Sequence, residues 1–290
     1  MTKPVLPFLE TMVTYACNLS CAGCTNYSDY NMKGSVKWTQ GKQWIEDWLD
    51  VVDIPDFGLI GGEPLLNPEL EEWIYGCREL MPDSQIRFTT NAVTFLENTQ
   101  VLDWCADIGN CVFKFSIHEN AEYAQSSIDY VFSKYNWQPI VEHGINRWIG
   151  PNNVRFQINK PTTFVKSFKG SYGNIYPHCN NPEDAFTICV QKTCPLLYNG
   201  KIYKCSSIAL LDRVLLDWQQ PVTENWVPYA SEYSPLRVSS TAEEINQFIE
   251  NFGKPARICQ MCPSAADLDS IIDHTLNVLT KKEWNKLQRV

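Results

Sequence analysis

CNLSCAGC, residues 17–24, places Cys17, Cys21 and Cys24 in the spacing C-x3-C-x2-C. Disulfides use thiols in pairs, and a closed structural zinc site takes four ligands, so three cysteines suit neither. Thiolates are soft ligands for iron–sulfur clusters, zinc and cuprous ions. A cube of four irons held by three cysteines keeps one iron open to a small chelating molecule. A zinc knuckle that borrows a fourth ligand from elsewhere is the rival reading.

The rest of the chain bears on that choice. It has 290 residues, 44% of them hydrophobic, enough for one large core or two domains. Such a chain needs no cross-links for stability, so its 12 cysteines call for metal or redox chemistry. No stretch approaches the roughly 20 apolar residues of a membrane span. The start, MTKPVLPFLE, does not read as a signal peptide. The expectation is therefore a cytoplasmic protein with reduced thiols and no membrane partner. The net charge of −9 disfavours nucleic acid, whose binding rests on Lys and Arg neutralising phosphates.

Residues 7–160 alternate between strand and helix patterns. Strands are expected over 7–15, 56–60, 85–92, 111–118 and 153–159. Helices are expected after Lys37, after Asn67-Pro68, through Val101–Ile108 and over 120–135. Repeated βα units imply a parallel sheet or barrel, whose chemistry gathers at the carboxyl ends of the strands. Cys17, Glu63, Asn91, Ser116 and His118 all fall at such ends. Beyond about residue 165 the pattern becomes irregular. Residues 196–207 read as a hairpin turning at Asn199-Gly200, TAEE as a capping box from Thr241 to Glu244, and the last thirty residues as a helical tail. The expected division is a barrel domain over 1–180 and a smaller domain over 181–290.

With LIGGEPLL (59–66) following the cysteine loop, the sequence resembles the radical S-adenosylmethionine (radical SAM) enzymes. The resemblance implies an α/β fold, a partial (β/α)6 TIM-like barrel. It implies a SAM-binding [4Fe–4S] cluster on Cys17, Cys21 and Cys24, and SAM contacts from Gly61, Gly62, Glu63 and Pro64. Asn91, Ser116 and His118 match further SAM-facing positions. Reductive cleavage of SAM would give a 5′-deoxyadenosyl radical that takes a hydrogen atom from substrate, with a flavodoxin or ferredoxin as reductant. Many members carry an aromatic residue before the third cysteine, where this chain has Gly23.

Cys189, Gly200 and Cys205 spell C-x10-G-x4-C, followed by the pair Cys259 and Cys262. This resembles the SPASM/Twitch branch, in the shorter Twitch form: a small irregular α+β domain with one auxiliary [4Fe–4S] cluster on Cys189, Cys205, Cys259 and Cys262. A zinc ribbon is the alternative. Cys194 could replace Cys189 as ligand, and whichever thiol is spare is a candidate hydrogen donor; Cys194 is the one expected to be spare. Cys77, Cys105 and Cys111 read as core. His143, His178 and His274 show no evident partner and read as structural. Trp218, Trp226 and Tyr229 read as padding of a loop-rich region.

The expected function is oxidation or epimerisation of a small polar metabolite, a sugar or nucleotide-sugar. The alternatives are a maturase acting on a ribosomal peptide or protein side chain, and a non-catalytic metal-binding protein. No catalytic base is legible.

Overall fold

The computed structural model describes residues 3–118, 122–171, 174–217, 223–273 and 278–280. Contacts divide the chain into two units. The first comprises residues 6–18 and 33–161. The second comprises 1–5, 19–32 and 162–290.

In the first unit, strands β1 (Leu9–Thr14), β2 (Asp56–Gly61), β3 (Gln85–Thr90) and β4 (Cys111–Ser116) lie side by side in that order. Each pairs in parallel with the next. Helices α1 (Trp38–Leu49), α2 (Leu70–Leu80) and α3 (Gln100–Ile108) make the crossovers, and α4 (Glu122–Lys134) follows β4. The next two strands, β5 (Gln138–Glu142) and β6 (Ile145–Ile149), form an antiparallel hairpin. β7 (Arg155–Asn159) runs antiparallel to β6 and parallel to β4.

The unit is thus mixed α/β with a large, mainly parallel sheet. All five strands expected from the sequence are present. The expected sixfold βα repeat is not: five parallel strands are described, and an antiparallel hairpin takes the place of a further βα unit. His143 and Gly144, both at positive φ, make the hairpin turn, and Glu142 ties it down by accepting from Arg147 Nη1 at 2.7 Å and Arg155 Nε at 2.8 Å.

The core follows from the pattern. Phe88, Phe113, Phe115 and Phe156 from three adjacent strands are fully buried and pack with Phe95. On α1 and α2, each helix offers a glycine to the other's tryptophan. A Cβ at Gly41 would fall 1.9 Å from Trp73, and one at Gly76 would fall 2.0 Å from Trp38. Both positions must lack a side chain for these helices to close.

The second unit is built of short elements. β8 (Thr163–Val165) pairs antiparallel with β13 (Ile271–Asp273), β9 (Lys169–Ser171) with β10 (Asn174–Tyr176), and β11 (Leu196–Tyr198) with β12 (Lys201–Tyr203). Residues 162–180 join this unit because β8 pairs with β13 across a hundred-residue loop, a link no local pattern reveals; the composition-based boundary at 180 therefore lies inside it. Leu19–Cys21 pairs with Val278–Thr280. The hairpin turn is as expected, with Asn199 and Gly200 at φ 49° and 72°, the pairing of positive angles that a two-residue turn needs. The helix Ala242–Glu250 carries the complete Thr241–Glu244 capping box. The helical tail does not form over the described residues 261–273 and 278–280. These contain Pro263, the single 3-10 turn Leu268–Ser270 and the short strands Ile271–Asp273 and Val278–Thr280 instead. His274, Trp218 and residues 281–290 lie outside the described residues.

Candidate functional site

The cysteines of the motif loop are divided between the units, Cys17 in the first and Cys21 and Cys24 in the second, and a further set of four lies within the second. Cys17 follows β1 in the first unit. The Gly61-Gly62 pair at the end of β2 lets that strand's backbone run against the β1 exit. A Cβ at Gly61 would lie 2.6 Å from Thr14 O, and one at Gly62 would lie 2.3 Å from Ala16 O. Without side chains, Gly62 N donates to Thr14 O at 2.9 Å and Glu63 N to Ala16 O at 2.8 Å. The glycines thus fix the main chain one residue before Cys17.

Glu63 is buried, and its carboxylate is fully engaged. It accepts from Leu65 N at 3.0 Å, Thr90 Oγ1 at 2.6 Å and Asn91 N at 2.7 Å. Burial pushes its pKa up to about 7, while the three donors pull it down. Pro64 opens the short turn Pro64–Leu66 that Glu63 caps. Asn91 brings the end of β3 to the same place. Its Nδ2 donates to Asn18 Oδ1 at 2.7 Å and lies 3.7 Å from Cys17 Sγ. The motif glutamate therefore acts through its carboxylate as a tie between strand ends, and Asn91 reaches Cys17. Ser116 and His118 lie at the end of β4, both half-buried; Ser116 pairs in register with Asn159.

The Glu63 arrangement is testable. A glutamine offers one acceptor oxygen, so its amide nitrogen would face one of the three donors. Glu63→Gln should cost about 1–3 kcal/mol, the penalty of unmatched buried polar groups, read by denaturant unfolding. In the wild type, the raised folded-state pKa means this group favours the fold below pH 4.5 and that this contribution is lost as pH rises through about 7. The glutamine variant should lack that slope.

Cys21 and Cys24 lie in the second unit, Cys21 buried and Cys24 half-buried. Cys24 N donates to Cys21 O at 3.1 Å and Tyr27 N to Cys24 O at 2.9 Å, winding the loop into consecutive turns. Gly23 sits at φ 72°, where a Cβ would press on Lys166 N at 3.3 Å. The positive φ and that close approach would strain any side chain at the position. The loop is fastened from below: Ser206 Oγ donates to Thr25 O at 3.0 Å and Tyr27 Oη to Ser207 O at 2.9 Å. Both serines directly follow Cys205, and both hydrogen-bond Gln191, two residues after Cys189.

Cys189, Cys205, Cys259 and Cys262 line one cavity in the same unit, together with Thr25, Lys204 and Met261. Cys194 lies outside that lining. Among the described residues, no three His, Cys, Asp or Glu side chains are gathered as for a single metal ion; the four thiols instead surround a space. Burial pushes Cys205 up to about 12 and raises Cys189 and Cys262, and each of these is raised further by neighbouring thiols of the set. Four thiolates cannot share this place unless a cationic core neutralises them. By contrast Cys77, Cys105 and Cys111 are fully buried in the first unit and serve as core. Trp226 and Tyr229 are buried as well, Trp226 packing edge-on to Phe168 at 5.9 Å.

Residues 10–127 match a family model described as "4Fe-4S single cluster domain". None of the curated proteins matches the chain. Among solved structures, BtrN in complex with AdoMet and 2-DOIA aligns over 91% of this chain and 95% of its own, with 15% identity and a TM-score of 0.51; this likeness establishes a shared fold. BtrN in an open conformation aligns over 94% of this chain and 98% of its own, with 14% identity and a TM-score of 0.44. SuiB from Streptococcus suis covers 42% of this chain and 26% of its own, with 18% identity and a TM-score of 0.33. The last two are too distant in shape to carry an argument. The chain therefore shares a 4Fe-4S family match over residues 10–127 and the fold of BtrN.

Proposed function

We propose that this protein is a radical SAM enzyme that oxidises or epimerises a small polar metabolite, a sugar or nucleotide-sugar. The observation that carries the reading is the second set of four cysteines around one cavity, apart from the motif loop. Such a set completes the coordination of a cube, so its cluster is suited to exchanging electrons and not to binding SAM. When bound, the cofactors supply a SAM-derived carbon radical and an acceptor for one electron.

In this reading Cys17, Cys21 and Cys24 hold the first cluster, and Cys189, Cys205, Cys259 and Cys262 the second. Gly61, Gly62, Glu63 and Pro64 shape the SAM side, with Glu63 acting by fixing the strand ends. Asn91, Ser116 and His118 line the strand ends on that side. Cys194, outside the ring, is the proposed hydrogen donor if the outcome is epimerisation. BtrN supports a small-molecule substrate, because a chain of the same extent and fold was crystallised with AdoMet and 2-DOIA. The reductant is proposed to be a flavodoxin or ferredoxin. Among the described residues no helix is long and apolar enough to cross a membrane.

The test is anaerobic incubation of the reconstituted enzyme with SAM and a reductant. One set of reactions carries a panel of sugars, cyclitols and nucleotide-sugars, and another a candidate precursor peptide. 5′-Deoxyadenosine and product are followed in both. Turnover with members of the panel is expected. Turnover with peptide alone would transfer the chain to the peptide-modifying reading.

A further inference from the structure

His178, read from sequence as structural, has partners that sequence order conceals. Its Nδ1 lies 3.2 Å from Asp267 Oδ1 and its Nε2 lies 3.3 Å from Ser270 Oγ. Asp267 is itself held rigidly: its Oδ2 accepts from Asn180 Nδ2 at 2.7 Å, Ser264 N at 2.9 Å and Ser264 Oγ at 3.0 Å. Nδ1 is buried without a hydrogen-bond partner of good geometry, so the carboxylate 3.2 Å away acts on the ring by its charge, while Nε2 faces Ser270 Oγ. The serine and the imidazole form a path for one proton, with the carboxylate charge beside it.

This chain borders a cavity of about 540 Å3 lined by Lys166, Phe168, Lys169, His178, Asp267 and Ser270. The volume is within the roughly 300–1,000 Å3 of small-molecule sites. Its lining is rich in hydrogen-bonding groups, as a polyhydroxylated ring requires. Its walls lead to both cysteine groups of the unit. On one side, Lys166 packs on Gly23, between Cys21 and Cys24, and Phe168 stacks on Tyr27 at 5.3 Å. On the other, His178 N donates to Met261 O at 3.0 Å, and Asn180 Nδ2 donates to Cys262 O at 3.0 Å while also holding Asp267.

We propose that this cavity binds the hydroxylated substrate and that Ser270, His178 and Asp267 together receive the proton its hydroxyl releases on oxidation. The inference rests on the oxidative reading above and supplies the base that reading lacks. The balance is as follows. Conversion of a secondary alcohol to a ketone breaks one C–H and one O–H bond and forms the C=O π bond. The hydrogen atom goes to the SAM-derived radical, giving 5′-deoxyadenosine. The hydroxyl proton goes to Ser270 Oγ as that hydroxyl passes its own proton to His178 Nε2. The remaining electron goes to a one-electron acceptor of the iron–sulfur class. Asp267 stabilises the imidazolium that results.

The charged groups around His178 fix the sign of the pH dependence. Burial lowers its pKa below the ordinary 6.5, Asp267 raises it, and Lys169 and Lys166 lower it again; Asp269 also lines the cavity. The imidazole must be neutral to accept a proton. Product formation should therefore fall as pH drops through a midpoint below 6.5 and be level above it. Asp267→Asn removes the group that raises the pKa, so its midpoint should move to still lower pH.

The experiment compares wild type, His178→Gln, Ser270→Ala and Asp267→Asn on a compound the wild type oxidises. Product, 5′-deoxyadenosine, iron content and the imidazole titration by NMR are measured, the last with and without substrate. Removal of a positioned base costs about 10²–10⁴-fold, so product from His178→Gln should fall by at least about 100-fold. SAM cleavage should persist, raising the ratio of 5′-deoxyadenosine to product. Ser270→Ala, a smaller change to the wall, should show the same uncoupling, and substrate should shift the His178 titration. If His178→Gln and Ser270→Ala make product at the wild-type rate with an unchanged pH profile, or if substrate leaves the titration unmoved, this inference is wrong while the oxidative reading stands. If the wild type oxidises no member of the panel, the oxidative reading itself fails and takes the inference with it.

Discussion

Cys262→Ala should stop product formation and leave SAM cleavage running, whereas Cys24→Ala should abolish both. The difference follows if the two cysteine groups do the different work proposed above. Cys24 belongs to the three-cysteine loop, where one open iron is proposed to bind SAM, so its loss removes the means of cleaving the sulfonium bond. Cys262 belongs to the ring with Cys189, Cys205 and Cys259. Its loss leaves the radical source intact and removes the partner for the second electron. Iron content separates the cases independently of activity. Each variant should fall from about eight irons per chain to about four, with the surviving cluster distinguishable by whether added SAM perturbs its EPR spectrum. Equal loss of SAM cleavage from both variants would overturn the division of labour.

Gly62→Ala should have an effect out of proportion to one methyl group. The new Cβ would fall 2.3 Å from Ala16 O, inside any allowed contact, and the obstacle is backbone just past β1 and not a movable side-chain tip. Either the end of β2 or the β1 exit must shift. Both hydrogen bonds that hold the exit, Gly62 N to Thr14 O and Glu63 N to Ala16 O, weaken as it does. Overpacking of this kind costs about 1–3 kcal/mol. The larger consequence is chemical, because Cys17 is the next residue and moves with Ala16. The expected result is a folded protein that melts lower and reconstitutes with about four irons fewer, the four-cysteine ring keeping its own. Full iron content together with SAM cleavage at the wild-type rate would show that the glycine pair does not position the loop.

What the sequence reveals here depends on whether the relevant contacts are local. The parallel strands of the first unit announce themselves by short apolar runs between turn residues, and the hairpin at Asn199-Gly200 and the cap at Thr241 by residue types within a few positions. The four-cysteine set is legible for a related reason: its spacing is a property of one hairpin and one tight pair. The antiparallel strands at 138–149 are harder, because their alternation is weak and their fixing point, Glu142 with Arg147 and Arg155, is read only after the chain has folded back. The expected helical tail fails where Pro263 and strand pairing with β8 outweigh a modest helical pattern. His178 is invisible to local reading because its partner Ser270 lies 92 residues away. The role of Glu63 is likewise tertiary: its motif predicts a ligand contact, and its surroundings, with Thr90 and Asn91 brought in by β3, engage the carboxylate internally.

The most direct measurement is iron, sulfide and zinc per chain after anaerobic reconstitution, repeated on the Cys24→Ala and Cys262→Ala variants. Two cubes require about eight irons and eight sulfides, with each variant losing about half and zinc near zero. About four irons in the wild type, together with one equivalent of zinc that disappears in Cys262→Ala, would contradict the account by making the four-cysteine ring a structural zinc site.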